Sequence, residues 1–291
     1  AIFRKQRIFS THKYMIFLGV SRSAIFSPHS EERDAAIFSA VVDGLKDAGH
    51  TVYTVSEDKL TQVPTQLDGV FTMSRSKKAL QLLKVAETRD TPILNSPTSL
   101  LENTRTKISE LFDNDCIPTP RCYSITRTGL PSLSYPFWIK RGDACAQDAT
   151  DVCFVASEKE SKEALRQYEE RNVMDLLAVE HLEGDLVKFY GVEGTDFFFS
   201  YYPTLGQQFS KFGLEEINGQ PRLFPFDASA LKQEADRAAR LTGFVVYGGD
   251  CVISADGSFK IIDFNDWPSF SLCRELAARA IVERIISSYG R

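Results

Sequence analysis

The sequence predicts two styles of fold, an α/β unit at the N-terminal end and α+β blocks over the rest of the chain. In the first third, short apolar runs alternate with amphipathic stretches of helical spacing. Further along, strand patterns follow one another with fewer helices between them, and an Asp-Gly turn joins two of them. With 43% hydrophobic and 25% charged residues, the 291-residue chain has enough apolar side chains to bury a large core.

The first unit, residues 15–94, is predicted to hold a small and mostly parallel sheet. In such sheets a ligand binds past the carboxyl ends of the strands. Those ends here are the loops 21–30 and 74–78, which carry Arg22 and Arg75. The predicted strands are 15–20, 51–55, 69–73 and 92–94, and the predicted helices are 31–48 and 76–88.

The pattern changes after residue 94. The sequence Asn-Ser-Pro-Thr-Ser is typical of a capped helix start, and a Pro-Thr-Pro run ends a second helix, so residues 95–120 are predicted as a helical linker. Two α+β blocks follow, 121–180 and 181–291. Their predicted strands are 121–125, 136–140, 152–156, 177–181, 186–192, 196–202, 245–254 and 259–264, and their helices are 158–171, 228–242 and 271–288.

Charge and motif content exclude several function classes. The chain has 34 Lys and Arg against 39 Asp and Glu, a net charge of −5, which argues against nucleic acid as the main partner. No apolar run is long enough to cross a membrane. None of the six cysteines has the spacing of a zinc knuckle or a redox motif, so we expect them to be reduced and the protein to be cytoplasmic. Residues 1–14, basic and without a clear pattern, are expected to be a leader or extension. Phosphate-loop, dinucleotide-binding and nucleophile-elbow motifs are absent.

A hairpin near the C-terminus carries the strongest chemical signal. Asp256-Gly257 is typical of a tight turn, so Asp250 and Asp263 are expected on adjacent antiparallel strands. Asp263 and Asn265 are two residues apart and leave the same face of their strand. Three hard oxygen donors can therefore converge on Mg²⁺ or Mn²⁺, the kind of ion that bridges nucleotide phosphates. The alternative is that these residues merely end a strand.

Two upstream segments add cations and hydrogen-bond acceptors. An apolar strand ends in Lys140 and leads through Arg141 into a loop of small residues, where a cation can hold phosphate. A second apolar strand reaches an acceptor-rich turn at 180–185, and Lys188 follows. Each signal is weak when taken alone.

Taken in order, these segments resemble the ATP-grasp superfamily, and the resemblance covers nearly the whole chain from Met15 onward. It implies an ATP-grasp fold with an N-terminal pre-grasp α/β domain, and ATP as the bound nucleotide. By this resemblance, Lys107 and Lys140 would bind the phosphates, and Glu180, His181 and Leu182 would contact adenine. Glu183 or Asp185 would bind the ribose, and the metal ligands would be Asp250, Asp263 and Asn265.

The resemblance also implies a reaction. In ligases of this superfamily, such as D-alanyl-D-alanine ligase and glutathione synthetase, ATP activates a carboxylate as an acyl phosphate that an amine then attacks. Lys188 and Arg274 are the expected catalytic residues, and Arg22, Arg75 and Arg141 are expected to hold the acid. The partners would be small-molecule acid and amine substrates, without nucleic acid or membrane, and a homodimer stays open.

Two alternatives keep the same site. The first is a kinase that acts on a polyol or inositol phosphate. The middle metal ligand is Asp263, where such ligases commonly have Glu, and residues 262–268 with Lys188 resemble inositol phosphate kinases of the same fold. The second alternative is a non-catalytic ATP-binding protein, because Gly142 is the only glycine in the loop after Lys140.

Overall fold

The computed structural model describes residues 13–28, 30–125, 130, 133–144, 149–205 and 214–289. Within these ranges the chain forms seven α-helices and twelve strands, and the strands make three four-stranded sheets. All but the last two residues of the expected leader, 1–14, lie outside the described part. None of the described helices has the length and apolar character needed to span a membrane.

The first sheet is parallel throughout and has the order β2-β1-β3-β4. Each helix follows a strand, as the alternating pattern predicted. The strands are β1 (Ile16–Ser21), β2 (Thr51–Ser56), β3 (Gly69–Thr72) and β4 (Ile93–Leu94), and the helices are α1 (Glu31–Asp47) and α2 (Lys77–Glu87).

The second and third sheets have the orders β5-β8-β6-β7 and β10-β9-β11-β12. Two short helices, α3 (Pro97–Glu102) and α4 (Arg105–Asn114), precede them. The second sheet has β5 (Cys122–Ile125), β6 (Phe137–Arg141), β7 (Val152–Val155) and β8 (Leu176–Glu180), with α5 (Glu158–Glu170). The third has β9 (Asp185–Val192), β10 (Phe198–Tyr201), β11 (Val246–Ile253) and β12 (Phe259–Asp266), with α6 (Ala228–Thr242) and α7 (Arg274–Tyr289).

The mixed fold class predicted from the sequence is confirmed, and the differences are local. Strand β10 is shorter than the predicted 196–202. Helix α7 begins at Arg274, three residues later than predicted. Trp267 and Phe270 have φ angles of 30° and 50°, and a left-handed backbone cannot be part of a helix, so α7 cannot begin before residue 271. The proposed division into domains stays a prediction.

Side-chain caps explain where several helices start. The hydroxyls of Ser76, Ser96 and Thr104 each accept a hydrogen bond from a backbone N–H three residues later. These bonds satisfy donors that the first turn of a helix leaves without an intrahelical partner. The cap at Thr104 begins α4, the helix that carries Arg105 and Lys107.

One hydrophobic core joins the two ends of the chain. Helix α7 packs against α1, and both contribute buried side chains to the core that holds Phe17 and Phe71 of the first sheet. Trp267 is fully buried in the same core, and its ring stacks on that of Phe71 with centroids 6.3 Å apart. The C-terminal helix therefore completes the packing of the first unit.

A buried cluster of ion pairs makes a second link between the first unit and the hairpin β11–β12. The Arg22 guanidinium donates to an Asp34 carboxylate oxygen at 3.0 Å and to the backbone oxygens of Met73 and Trp267 at 3.1 Å. Asp266 lies 3.6 Å from Arg22 and 2.8 Å from the Arg75 guanidinium. Buried charges need such partners, because an unpaired one is costly away from water.

We expect Arg22→Met to destabilise the protein strongly, because it leaves the Asp34 carboxylate buried without its cation. Removing one partner of a buried pair costs about 3 kcal/mol or more. Urea unfolding measures the change, and Arg166→Met on the exposed face of α5, which breaks a surface ion pair with Glu163, is the control with little expected effect. Equal stability of the two variants would contradict this account.

Candidate active site

A cleft of about 310 Å³ lies between the second and third sheets. Its floor is made by β9 and β11, which pair antiparallel. Three cross-strand pairs line it, namely Leu186 with Val252, Lys188 with Asp250, and Tyr190 with Gly248. Side chains two residues apart share a face, so the floor runs from an apolar pair through a charged pair to a tyrosine and a glycine.

Each end of the floor continues onto a neighbouring segment. At the apolar end, Leu182 lies on the turn that leads into β9 and also lines the cleft. At the far end, Pro268 packs against Gly248, where a β-carbon would come within 2.9 Å of the proline ring and 3.0 Å of Tyr190. Gly248 therefore keeps this end of the cleft open.

Charged groups in the middle of the cleft are paired with one another. The Lys188 ammonium donates to both carboxylate oxygens of Asp250, at 3.0 and 3.2 Å, and lies 3.3 Å from the Glu215 carboxylate. Burial disfavours the charge of Lys188, but the two carboxylates outweigh burial and raise its pKa. Lys188 therefore stays protonated at neutral pH.

A second charged group surrounds Asp263, which faces Asp250 in register across β11 and β12. The Asn265 amide donates to the Asp263 carboxylate at 2.9 Å, and the Arg105 guanidinium lies 3.7 Å away. Burial opposes ionisation of Asp263, yet Arg105 and Lys140 hold its pKa below the ordinary value. Lys140 is itself buried, which lowers its pKa, and its ammonium donates to the Ile262 carbonyl at 3.0 Å.

Residues 180–184, which we call the hinge, join the two sheets beside the apolar end. The Glu180 carboxylate accepts from the Arg121 guanidinium at 2.9 Å, and this bond lowers the pKa of Glu180. His181 accepts a hydrogen bond from the Trp138 indole N–H at 3.2 Å, and burial lowers its pKa. The Leu182 carbonyl accepts from the Asn218 amide at 3.0 Å.

The donor set suits a hard divalent cation. Asp250 and Asp263 bring two carboxylates to opposite strands of one hairpin, and Asn265 lies within one hydrogen bond of Asp263. Oxygen donors of this kind are those that Mg²⁺ and Mn²⁺ take in proteins. Among the described residues, no group of three or more His, Cys, Asp or Glu side chains is placed to hold a metal, so a cation here would depend on the Asn265 oxygen and on a bound ligand.

Comparison with solved structures identifies the architecture. D-alanine–D-alanine ligase from Bacillus anthracis with ATP matches with a TM-score of 0.65 at 10% identity, over 94% of this chain and 99% of that one. VanG D-Ala:D-Ser ligase from Enterococcus faecalis matches at 0.67 and 13%, over 95% and 100%. ATP-grasp ligase PsnB, with precursor peptide PsnA2 and AMPPNP, matches at 0.62 and 17%, over 94% and 98%.

The chain has the ATP-grasp fold. No protein-family model matches the sequence, and no curated protein matches it. Identities of 10 to 17% establish the fold alone. The resemblance drawn from the ordered motifs is thus confirmed at the level of architecture, and the reaction is left to the chemistry of the cleft.

Several residues expected at the ATP-grasp site do line the cleft. These are Arg75, Lys140, Glu180, His181, Leu182, Lys188, Asp250, Asp263 and Asn265. They come from six separate segments of the chain, and their roles stay predictions. Arg75 reaches the cleft from the first unit while its guanidinium bonds Asp266.

Other expected residues do not line the described cleft, and their roles stay predictions. Lys107 is half exposed on α4 and pairs with Glu110 at 3.3 Å, whereas Arg105 of the same helix lines the cleft. Arg22 is 6% exposed, and its donors are taken by the ion-pair cluster. Arg141 pairs with Asp143 at the end of β6.

The ribose candidates and Arg274 are also outside the lining. Asp185 is buried and accepts from the backbone N–H groups of Arg222 and Phe224, at 2.7 and 2.8 Å, so it fastens a loop. Glu183 is exposed on the hinge. Arg274 begins α7 and does not line the described cleft.

Among the lining residues that the sequence interpretation missed are Arg105, Tyr190, Glu215 and Asn218. Tyr190 could have been found, because it is two residues from Lys188 on the same strand and shares its face. Glu215 and Asn218 lie on a short 3₁₀ helix, Leu214–Asn218, which the sequence interpretation did not predict. Only the folded chain brings that helix to the cleft.

Proposed function

We propose that this protein is an Mg²⁺- and ATP-dependent carboxylate–amine ligase. The observation that carries the proposal is the order of groups along the cleft. One end is apolar, the middle is charged and holds Asp250 and Asp263, and the far end is mostly uncharged. Such an order matches a base, a triphosphate and an acceptor laid end to end. The ATP-bound relative of the same fold adds support for the nucleotide.

In this proposal, the nucleotide base packs between the apolar pair of the floor and the hinge, against Glu180, His181 and Leu182. Lys140 and Arg105 face the triphosphate, where their charges offset those of the phosphates. Asp250, Asp263 and Asn265 would hold Mg²⁺ or Mn²⁺, which supplies charge stabilisation to the transferring phosphoryl group.

The reaction proceeds in two balanced steps. An oxygen of the acid substrate attacks the γ-phosphorus of ATP, the bond to the β–γ bridging oxygen breaks, and ADP leaves. The amine nitrogen then attacks the acyl carbon of the acyl phosphate, loses a proton, and inorganic phosphate leaves as the amide forms. Lys140, Arg105 and Lys188 stabilise the charge that moves between these groups, so the protein itself need supply no nucleophile.

Charge balance favours a carboxylate over a phosphorylated polyol as the acceptor. The described lining side chains comprise four cations and four anions, Arg75, Arg105, Lys140 and Lys188 against Glu180, Glu215, Asp250 and Asp263. The cation at the far end, Arg75, already pairs with Asp266. A phosphorylated acceptor would need an excess of cations there. The inositol phosphate kinase alternative is therefore less well supported.

Phosphorus NMR tests the reaction class directly. We expect Mg·ATP with a fractionated metabolite extract to give ADP and an equal amount of free phosphate, together with an amide product. ADP with a new phosphoester signal and no free phosphate would contradict the ligase and indicate a kinase. ATP binding without ADP release from any fraction would indicate a non-catalytic protein.

We expect Asp263→Asn to reduce metabolite-stimulated ADP release by about 100-fold or more, because the variant loses a carboxylate opposite Asp250 and removing one electrostatic group typically has this effect. Asp256→Asn is the matched control, since Asp256 lies on the exposed turn of the same hairpin. Thermal unfolding of both variants reports whether the fold is kept. Full activity of a folded Asp263→Asn protein would remove this residue from the site.

Arg105 and Lys107 lie on the same helix, α4, but only Arg105 lines the cleft. We expect Arg105→Gln to weaken the binding of Mg·AMPPNP about tenfold, on the scale of a hydrogen bond to a charged group. Lys107→Gln should bind with wild-type affinity, because Lys107 points to Glu110 and away from the cleft. Isothermal titration calorimetry measures both, and a larger effect at Lys107 would overturn this assignment.

A further inference from the structure

The 3₁₀ helix Leu214–Asn218 touches two different parts of the cleft. Three of its side chains, Leu214, Glu215 and Asn218, line the cleft. Glu215 reaches the charged middle of the floor and Asn218 reaches the hinge. One short segment therefore contacts both places where the proposed nucleotide would be held.

The first contact anchors the helix. The Glu215 carboxylate lies 3.3 Å from the Lys188 ammonium, and the two side chains are only 12% and 19% exposed. An ion pair that is largely shielded from water is stronger than one on the surface, because solvent screens it less. The helix is thus fastened to strand β9 at Lys188.

The second contact holds the hinge. The Asn218 amide donates to the Leu182 carbonyl at 3.0 Å and lies 3.5 Å from the Gly184 carbonyl. The hinge is also closely packed at Gly184, where a β-carbon would come within 2.3 Å of the Ile253 carbonyl. Gly184 also has a φ of 149°, which L side chains rarely adopt. Asn218 and the end of β11 therefore both contact the hinge.

We propose that Asn218 is a positioning residue for the nucleotide base, and that Glu215 anchors it. The inference rests on the proposed function, because it takes the base to lie against Leu182. By bonding the Leu182 carbonyl, Asn218 fixes the peptide and the side chain that face the base. The triphosphate is held by Lys140 and Arg105, to which Asn218 makes no hydrogen bond.

This separation of roles gives a selective test. We expect Asn218→Ala to raise the Kd of Mg·ATP about tenfold, the scale of one lost hydrogen bond in a cleft shielded from water. The Kd of Mg·tripolyphosphate, which has no base, should not change. Isothermal titration calorimetry with Mg·AMPPNP measures the first affinity, and competition against it measures the second.

A matched control separates positioning from general destabilisation. The Asn103 amide donates to the Thr242 carbonyl at 2.6 Å, the same kind of bond, and Asn103 does not line the described cleft. Asn103→Ala should keep wild-type affinity for both ligands. Should Asn218→Ala fail to fold, Asn218→Asp keeps the size, cannot donate to Leu182, and is expected to show the same selective loss.

Three outcomes would overturn the inference. Wild-type affinity for nucleotide in the folded Asn218 variants would show that the base does not depend on this bond. An equal loss of affinity for nucleotide and tripolyphosphate would assign Asn218 a merely structural role. If the wild-type protein bound no Mg·AMPPNP, the nucleotide assignment would fall together with this inference, whereas absence of ligase turnover alone would leave it standing.

Discussion

The buried ion pairs among Arg22, Asp34, Arg75 and Asp266 are the contact on which the geometry of the cleft depends. Asp266 directly follows Asn265 at the end of β12, so the cluster fixes the end of the strand that carries two of the three proposed metal ligands. Moving the first unit away from this strand would break the ion pairs that Asp266 makes with Arg22 and Arg75. The packing of α7 against α1 works in the same direction, because it closes the apolar core that surrounds Trp267.

Charge compensation is the second theme of the cleft. Lys188 sits between two carboxylates, and Asp263 sits among an amide and two cations, so the charges of these two groups are offset by their neighbours. A triphosphate with its metal would add both signs to this arrangement and exchange protein partners for ligand partners.

Local patterns predicted much of the fold and part of the site. Alternating strands and helices, hydroxyl caps and the Asp256-Gly257 turn are set by interactions within a few residues, and each appears where the pattern placed it. The facing of Asp250 and Asp263 follows from the same turn. Local patterns leave open which side of α4 faces the cleft. Residues two apart on a helix point about 200° apart, so the choice between Arg105 and Lys107 depends on which side of α4 packs on the third sheet.

The sequence alone determines the order of helices and strands and the types of ligating side chain that they carry. This is because hydrogen bonding along the chain and the alternation of side chains act over a few residues only. What required the folded chain is the partner of each charge. Arg22 and Arg75 follow the ends of adjacent strands, and both pair with Asp266, which lies far along the chain. Arg22 is buried in this cluster, whereas Arg75 also lines the cleft. In the same way, Glu215 contacts Lys188, and Asn218 contacts Leu182, only in the folded chain. Such contacts between distant segments depend on how the three sheets pack and not on spacing in the sequence.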